Sequence, residues 1–329
     1  MLRKIHKILG LALGGYMLLM AATGTILAFE SAVFRIAFDL QQPAPVMSAS
    51  QAAAFGGSLE NVRAVLTPSA EVPAVKVYFT NAAPRLYNAE TLAEIRDPLG
   101  LQTLFHTVFD LHTELLLGET GETIIGFLAL AALGLVITAP FLGYRWRRSV
   151  VAQSVPASVQ QRRKHLRIGL VVLPVLAISL VTGLGMTFHT QAKSWLPVIL
   201  PQLPARAAGA AIVTEAPLRL VVFREGKPAY VRFKQPGEWH PNGRSKADYD
   251  GRGGFENVED ALAAPLGMRV YNSLYPLHSG RMDGQLMRIM VAVSGAGIVS
   301  LAYLGLASAV GRWTAKGKAV ASQRAHQNG

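Results

Sequence analysis

The sequence predicts an α-helical membrane protein, with four transmembrane helices arranged as a duplicated two-helix repeat and two small α+β modules on one side of the bilayer. Three observations carry this reading. Four apolar runs, roughly 8–29, 122–144, 167–188 and 285–308, each approach the ~20 residues needed to cross a hydrocarbon core. Six residues recur at one offset: His6, Gly10, Leu11, Thr23, Gly24 and Phe29 return 159 positions later as His165, Gly169, Leu170, Thr182, Gly183 and Phe188. The third observation is charge segregation. Residues 1–7, the segment 145–167 and the tail from 311 hold 14 of the 32 Lys and Arg and no Asp or Glu. Loops with that excess face the cytoplasm, which puts both termini there.

The remaining 18 basic and 20 acidic residues nearly balance. The formal net charge of +12 therefore reflects topology and gives no reason to expect nucleic acid.

Taken in order, residues 1–29 form a cytoplasmic N-terminus and the first span. Its apolar part is longer than the core of a secretory signal and no clear A-x-A site follows, so it reads as an uncleaved anchor. Residues 30–111 form the first outer module, in which VKVYFT (75–80) and RLYNAETLAEI (85–95) alternate as hairpin strands around an Asn-Ala-Ala-Pro turn. LQTLFHTVFDLHTELLLG (101–118) sets Phe105, Val108, Phe109, His112 and Leu116 on one helical stripe. His106 joins Thr103, Asp110 and Thr113 on the polar face of that helix. Residues 112–144 complete it and supply the second span; 145–166 form a cytoplasmic loop and 167–189 the third span.

The second outer module, 190–277, offers LRLVVF (218–223), a Gly-containing turn and AYVRF (229–233). The polar, Gly-rich stretch 236–254 after it is expected to be a long surface loop, with a substrate-contacting loop as the alternative. Residues 278–310 form the fourth span and 311–329 a cytoplasmic tail.

Four histidines stand at span entrances: His6, His112, His165 and His278. Repeats inserted with one orientation are related by an axis along the membrane normal, so His6 would meet His165 near the cytoplasmic face and His112 would meet His278 near the outer face. Two imidazoles converging at one depth are what a six-coordinate haem iron requires. Gly10 and Gly169, four residues after the inner histidines, would leave room beside a flat macrocycle, although close helix packing accounts for small residues equally well. His112 on an apolar stripe needs a partner. His189 stands where the first repeat has Glu30, as an alternative outer ligand or a group between cofactor and substrate. Arg281 lies beside His278 and is placed to meet a haem propionate or an anionic substrate, or to anchor the helix at the interface. His240 and His326, in the polar stretch and the tail, stand outside this constellation.

There is no cysteine, which excludes disulfides, thiolate metal sites, Cys-held iron–sulfur clusters and covalently attached haem. Serine-nucleophile elbows, phosphate loops and H-E-x-x-H patterns are absent as well.

His6-Gly10 with Thr23-Gly24, their copy at His165-Gly169 and Thr182-Gly183, LHTELLLGETG (111–121) and PLHSGRMDG (276–284) together resemble the PepSY-associated transmembrane proteins. These are inner-membrane proteins often linked to iron uptake and include ferric-siderophore reductases. The resemblance implies a Gram-negative inner membrane, PepSY-like periplasmic modules and two b-type haems carrying electrons across the bilayer. Carried onto this sequence, it implies His6, His165, His112 and His278 as haem ligands, with His189 as the outer substitute. It also implies a haem-dependent ferric-siderophore reductase. No flavin or nicotinamide domain is fused to the chain, so the electron donor would be another protein or a membrane quinol. The rival reading is non-enzymatic: PepSY-type modules bind a periplasmic partner and the helices anchor them. A transporter fits less well, because the span interiors lack charged residues.

Overall fold

A computed structural model describes residues 1–40, 45–147, 157–201, 216–250, 254–282 and 286–327. Part of the 145–166 loop, the 202–215 stretch of the second outer segment, 251–253 of the Gly-rich stretch and the Asp283-Gly284 end of the PLHSGRMDG motif lie outside the described residues.

Among the described residues, four helices are long and apolar enough to cross a membrane, with spans Lys4–Ala28, Glu119–Leu142, Arg163–Thr187 and Leu286–Ala307. They belong to α1 (Leu2–Ala28), α5 (Glu119–Arg147), α6 (Ala157–Thr187) and α9 (Leu286–Gln327). Most of their surface is exposed and apolar, as in Ile8, Leu11, Phe127, Leu130, Val171 and Tyr303, which suits a lipid solvent and would be costly in water. A smaller set, Leu13, Ala132 and Leu135, packs inside the bundle.

The halves run in similar but not identical order: in the first, two short helices precede the strands, and in the second, among the described residues, one does; an amphipathic helix and a span then close each half. The first half adds α2 (Glu30–Ala37), α3 (Ala49–Gly57), β1 (Val62–Leu66), β2 (Val75–Phe79), β3 (Arg85–Tyr87) and α4 (Leu101–Glu114). The second adds α7 (His189–Ile199), β4 (Leu218–Arg224), β5 (Lys227–Phe233), β6 (Ser245–Tyr249), β7 (Phe255–Glu259) and α8 (Leu266–Ser279).

The outer segments were expected as two separate modules, but their strands join one antiparallel sheet in the order β3-β2-β1-β4-β5-β6-β7. The seam is β1 against β4, pairing Ala64 with Val222, Val65 with Val221 and Leu66 with Leu220. Across the seam Val65, Val75, Val77, Val221, Phe223, Val231, Phe233 and Ala247 line one continuous face and bury Ala52 and Ala53 of α3. The other face receives Phe34 of α2 and Phe105 of α4 over Ala74 and Leu86, which sets the sheet on the bundle.

The described part of that stretch, 236–250, is not the surface loop expected. It contains β6, and Glu238 and His240 are buried. Glu238 accepts from the amides of Arg244 and Ser245 and from the Ser245 hydroxyl, so a buried carboxylate, hard to anticipate from composition, organises the turn into the strand.

Candidate functional site

The amphipathic helices α4 and α8 end on His112 and His278, and both histidines turn back onto the spans. Asp97 fixes the start of α4, its carboxylate accepting from the Leu101 and Gln102 amides at 2.9 and 2.7 Å. The Gln102 side chain in turn accepts, through Oε1, from the Leu86 amide of β3 at 2.7 Å. Phe105 then packs on Phe34 edge-on at 5.1 Å and holds the helix against the module.

His112 docks on the Thr-Gly pair of α1, with Nδ1 2.8 Å from Thr23 Oγ1. His278 docks on the Thr-Gly pair of α6, with Nδ1 3.3 Å from Thr182 Oγ1 and 2.9 Å from the Ser179 carbonyl. The glycines make the approach possible: a Cβ added at Gly24 or Gly183 would lie 3.1 Å from Cε1 of the respective ring. The two rings then face each other, centroids 6.0 Å apart and planes inclined by 51°.

The Ser179 carbonyl, which can only accept, makes Nδ1 of His278 the donor, and the hydroxyls behind both rings favour the same tautomer. Thr23 donates to Leu19 O at 2.8 Å and Thr182 to Ile178 O at 2.6 Å. Each hydroxyl has thereby used its proton, so towards the ring it accepts. Nδ1 then donates, and Nε2 is left with its lone pair free. Burial first, and then the neighbouring His278, push the His112 imidazole down to about 4; burial likewise lowers His278, opposed by the Ser179 carbonyl. Both rings are neutral at pH 7, the form that ligates metals.

The inner pair shares this device in part. His6 Nδ1 lies 3.1 Å from Thr138 Oγ1, which donates to Gly134 O at 2.9 Å. His165 lies within electrostatic reach of His6 and against the backbone of Leu301. A Cβ at Gly10 would meet nothing within 4 Å, and one at Gly169 only Leu301 at 3.8 Å. Tight helix packing therefore does not demand either glycine, and there is open space beside both.

Two expected residues fall outside these pairs. His189 begins α7 and is exposed, because the chain turns into a separate helix after Phe188. Arg281 bonds to Glu30 and to the Leu27 carbonyl; its charge is spent tying the end of α8 to the end of α1. Glu30 also takes Lys76 at 2.7 Å. Burial would raise the Glu30 carboxyl, but Lys76 and Arg281 outweigh it and hold it at about 2. His106 stays on the polar face of α4, 3.5 Å from Asp110.

The residues that the sequence reading left without a role are Thr23, Thr182, Gly24, Gly183 and Thr138. For the first four the signal was the repeated Thr-Gly spacing, which lacked only the partner, 89 and 96 residues away; Thr138, 132 residues from His6, left no such pattern.

Among the described residues no group of three or more His, Cys, Asp or Glu converges on a metal position; the histidines come as pairs. A metal held about 2 Å from each of two imidazole nitrogens separates the ring centroids by roughly 6 Å. The outer pair has that separation, and among the described residues neither Nε2 has a hydrogen-bond partner, so His112 and His278 could together hold a metal whose remaining ligands came from a bound cofactor.

The sequence model of one protein family, described as PepSY-associated TM region, matches residues 3–312. No curated protein sequence matches the chain significantly.

Proposed function

From the premise that the chain belongs to the PepSY-associated TM region family, we propose that it is a di-haem electron carrier. In this reading it passes electrons across the inner membrane to a periplasmic acceptor, a ferric siderophore. The observation that carries the proposal is the His112/His278 pair, in which two hydroxyls with spent protons hold both rings as the tautomer that presents Nε2.

His6 and His165 would hold one b-type haem and His112 and His278 the other. A haem with two imidazole ligands takes up and gives back one electron at its iron with no change of ligands. The chain does the rest. Thr23, Thr182 and Thr138 keep Nδ1 protonated and raise the ligand strength of Nε2. Gly24 and Gly183 let the outer rings lie against the spans. His6 and Thr23 are 17 residues apart on α1, about 25 Å at ~1.5 Å per residue, so the pairs sit near opposite faces of a core ~30 Å thick. The exposed apolar flanks of the spans exclude water between them. An Fe(III) chelate that gains one electron becomes Fe(II), which hard oxygen donors hold less tightly, so reduction releases iron. The donor would be a quinol or a protein on the cytoplasmic side.

The test is the visible spectrum of detergent-purified protein before and after dithionite. We expect a sharp reduced α-band of the bis-histidine type and about two haems per chain, with His278→Ala and His6→Ala each removing one. A protein that stays colourless after haem supplementation refutes the proposal.

A further inference from the structure

On the sheet face opposite α3, Tyr230 and Arg232 of β5 alternate with the core residues Val231 and Phe233. The Arg232 guanidinium lies 5.6 Å from the Tyr230 ring centroid and Nη2 is 3.5 Å from its hydroxyl. Arg244, which enters β6, is electrostatically coupled to Arg232, Tyr230, Tyr271 and Tyr275, and its Nε is buried without a hydrogen-bond partner. Tyr271 and Tyr275 stand four apart on α8, on one face. His240, buried and with Nδ1 accepting from the Asn242 amide, lies against Tyr275 at 5.0 Å.

Among the described residues no carboxylate pairs with either guanidinium. Glu238 is taken by two amides and a hydroxyl, and Asp248, on the Tyr230 face, accepts from Asn257 at 3.2 Å. Two close cations without a counter-charge are unfavourable by themselves and favourable around an oxyanion. Burial, and then Arg232, lower Arg244 to about 10, in keeping with a cation that no described carboxylate neutralises.

We propose that Arg232 and Arg244, with Tyr230, Tyr271 and Tyr275, form a carboxylate-binding site between the sheet and α8, which takes the carboxylates of an anionic ferric chelate. Tyr275 is one helical turn from His278 and Tyr271 two, about 4.5 and 10 Å along the axis. A chelate seated there lies beside the outer histidine pair. Each Fe(III) would take one electron from a reduced haem, giving Fe(II) and the oxidised haem. This use of the site rests on the proposed electron-transfer role; the binding does not. The same carboxylate chemistry has a second source, the propionates of a haem on His278.

The probe is Ga(III)–citrate, which is redox-silent, titrated calorimetrically into the purified protein, with haem content measured on the same samples. Arg232→Ala and Arg244→Gln should each weaken binding at least about tenfold, Arg244→Lys less, with melting curves and haem content retained. If instead Ga(III)–citrate does not bind and both variants lose the outer haem, the carboxylate is the propionate and the site stands. Variants that keep both wild-type citrate affinity and full haem overturn it, as does a wild type that fails to bind with variants that keep full haem. A colourless wild type whose citrate binding still depends on these arginines keeps the site and refutes the electron-transfer role.

Discussion

At the scale of single residues, the outer histidines depend on what the spans place behind them. A methyl at Gly24 would come within 3.1 Å of the His112 ring, and the ring cannot retreat without losing Thr23. Gly24→Ala and Gly183→Ala should therefore each remove the outer haem and leave the inner one, seen as half the wild-type haem per chain. Thr23→Val removes the acceptor that fixes the tautomer and should lower haem affinity about 10–100-fold, whereas Thr23→Ser should retain it. Unchanged haem content in Thr23→Val would sink the tautomer argument. The histidines, the Thr-Gly pairs and the apolar setting of His112 were legible because each left a local pattern. His240 was not: it stands among polar residues in a Gly-rich stretch, and only the packing of Tyr275 from another element buries it.

Elements are tied together by charge where the spans meet the sheet. Glu30 at the start of α2 joins Lys76 of β2 to Arg281, which Gly280 in a left-handed turn (φ 68°) throws back from the end of α8. Nearby, Arg288 of α9 holds Glu71 at 2.7 Å. Removing one partner of such a buried set strands the others, at a cost on the order of 3–5 kcal/mol. Glu30→Gln should accordingly melt on the order of 10 °C lower at pH 7. The sign with pH follows from the carboxyl: it is held at about 2 in the fold against 4.5 as reference. Its contribution is complete above pH 4.5 and is lost as pH falls from there towards 2. Wild-type and Glu30→Gln melting temperatures should converge over that window; a gap that persists at pH 3 would contradict the assignment. Periodicity made α4 and the spans readable as elements, and alternation did the same for β2, β4 and β5. β6 was missed because Ser-Lys-Ala-Asp-Tyr carries little apolar signal, and its pairing with β5 does the work that side chains do elsewhere.

For the whole molecule, the packing of the spans and the seam between β1 and β4 make the halves interdependent. Residues 1–155 expressed alone should be degraded or aggregate, and co-expression of 156–329 should restore yield. Stable accumulation of the first half by itself would show that three strands suffice. Four spans, the number among the described residues, would put both termini on one side, and the charge bias predicts the cytoplasmic one: a green fluorescent protein fused after Gly329 should fluoresce, and a dark fusion would refute that orientation. The single sheet was not legible from the sequence, because strand neighbours separated by two spans leave no local trace. That same seam orders events in time. Roughly 150 residues separate β1 from its neighbour β4, and at about 5–20 residues per second β1 waits on the order of 10–30 s with one edge unsatisfied. During that interval two further spans must enter the bilayer. A nascent chain with a bare strand edge is a template for intruders, so slow insertion of α6 would be felt first as aggregation of a module already made.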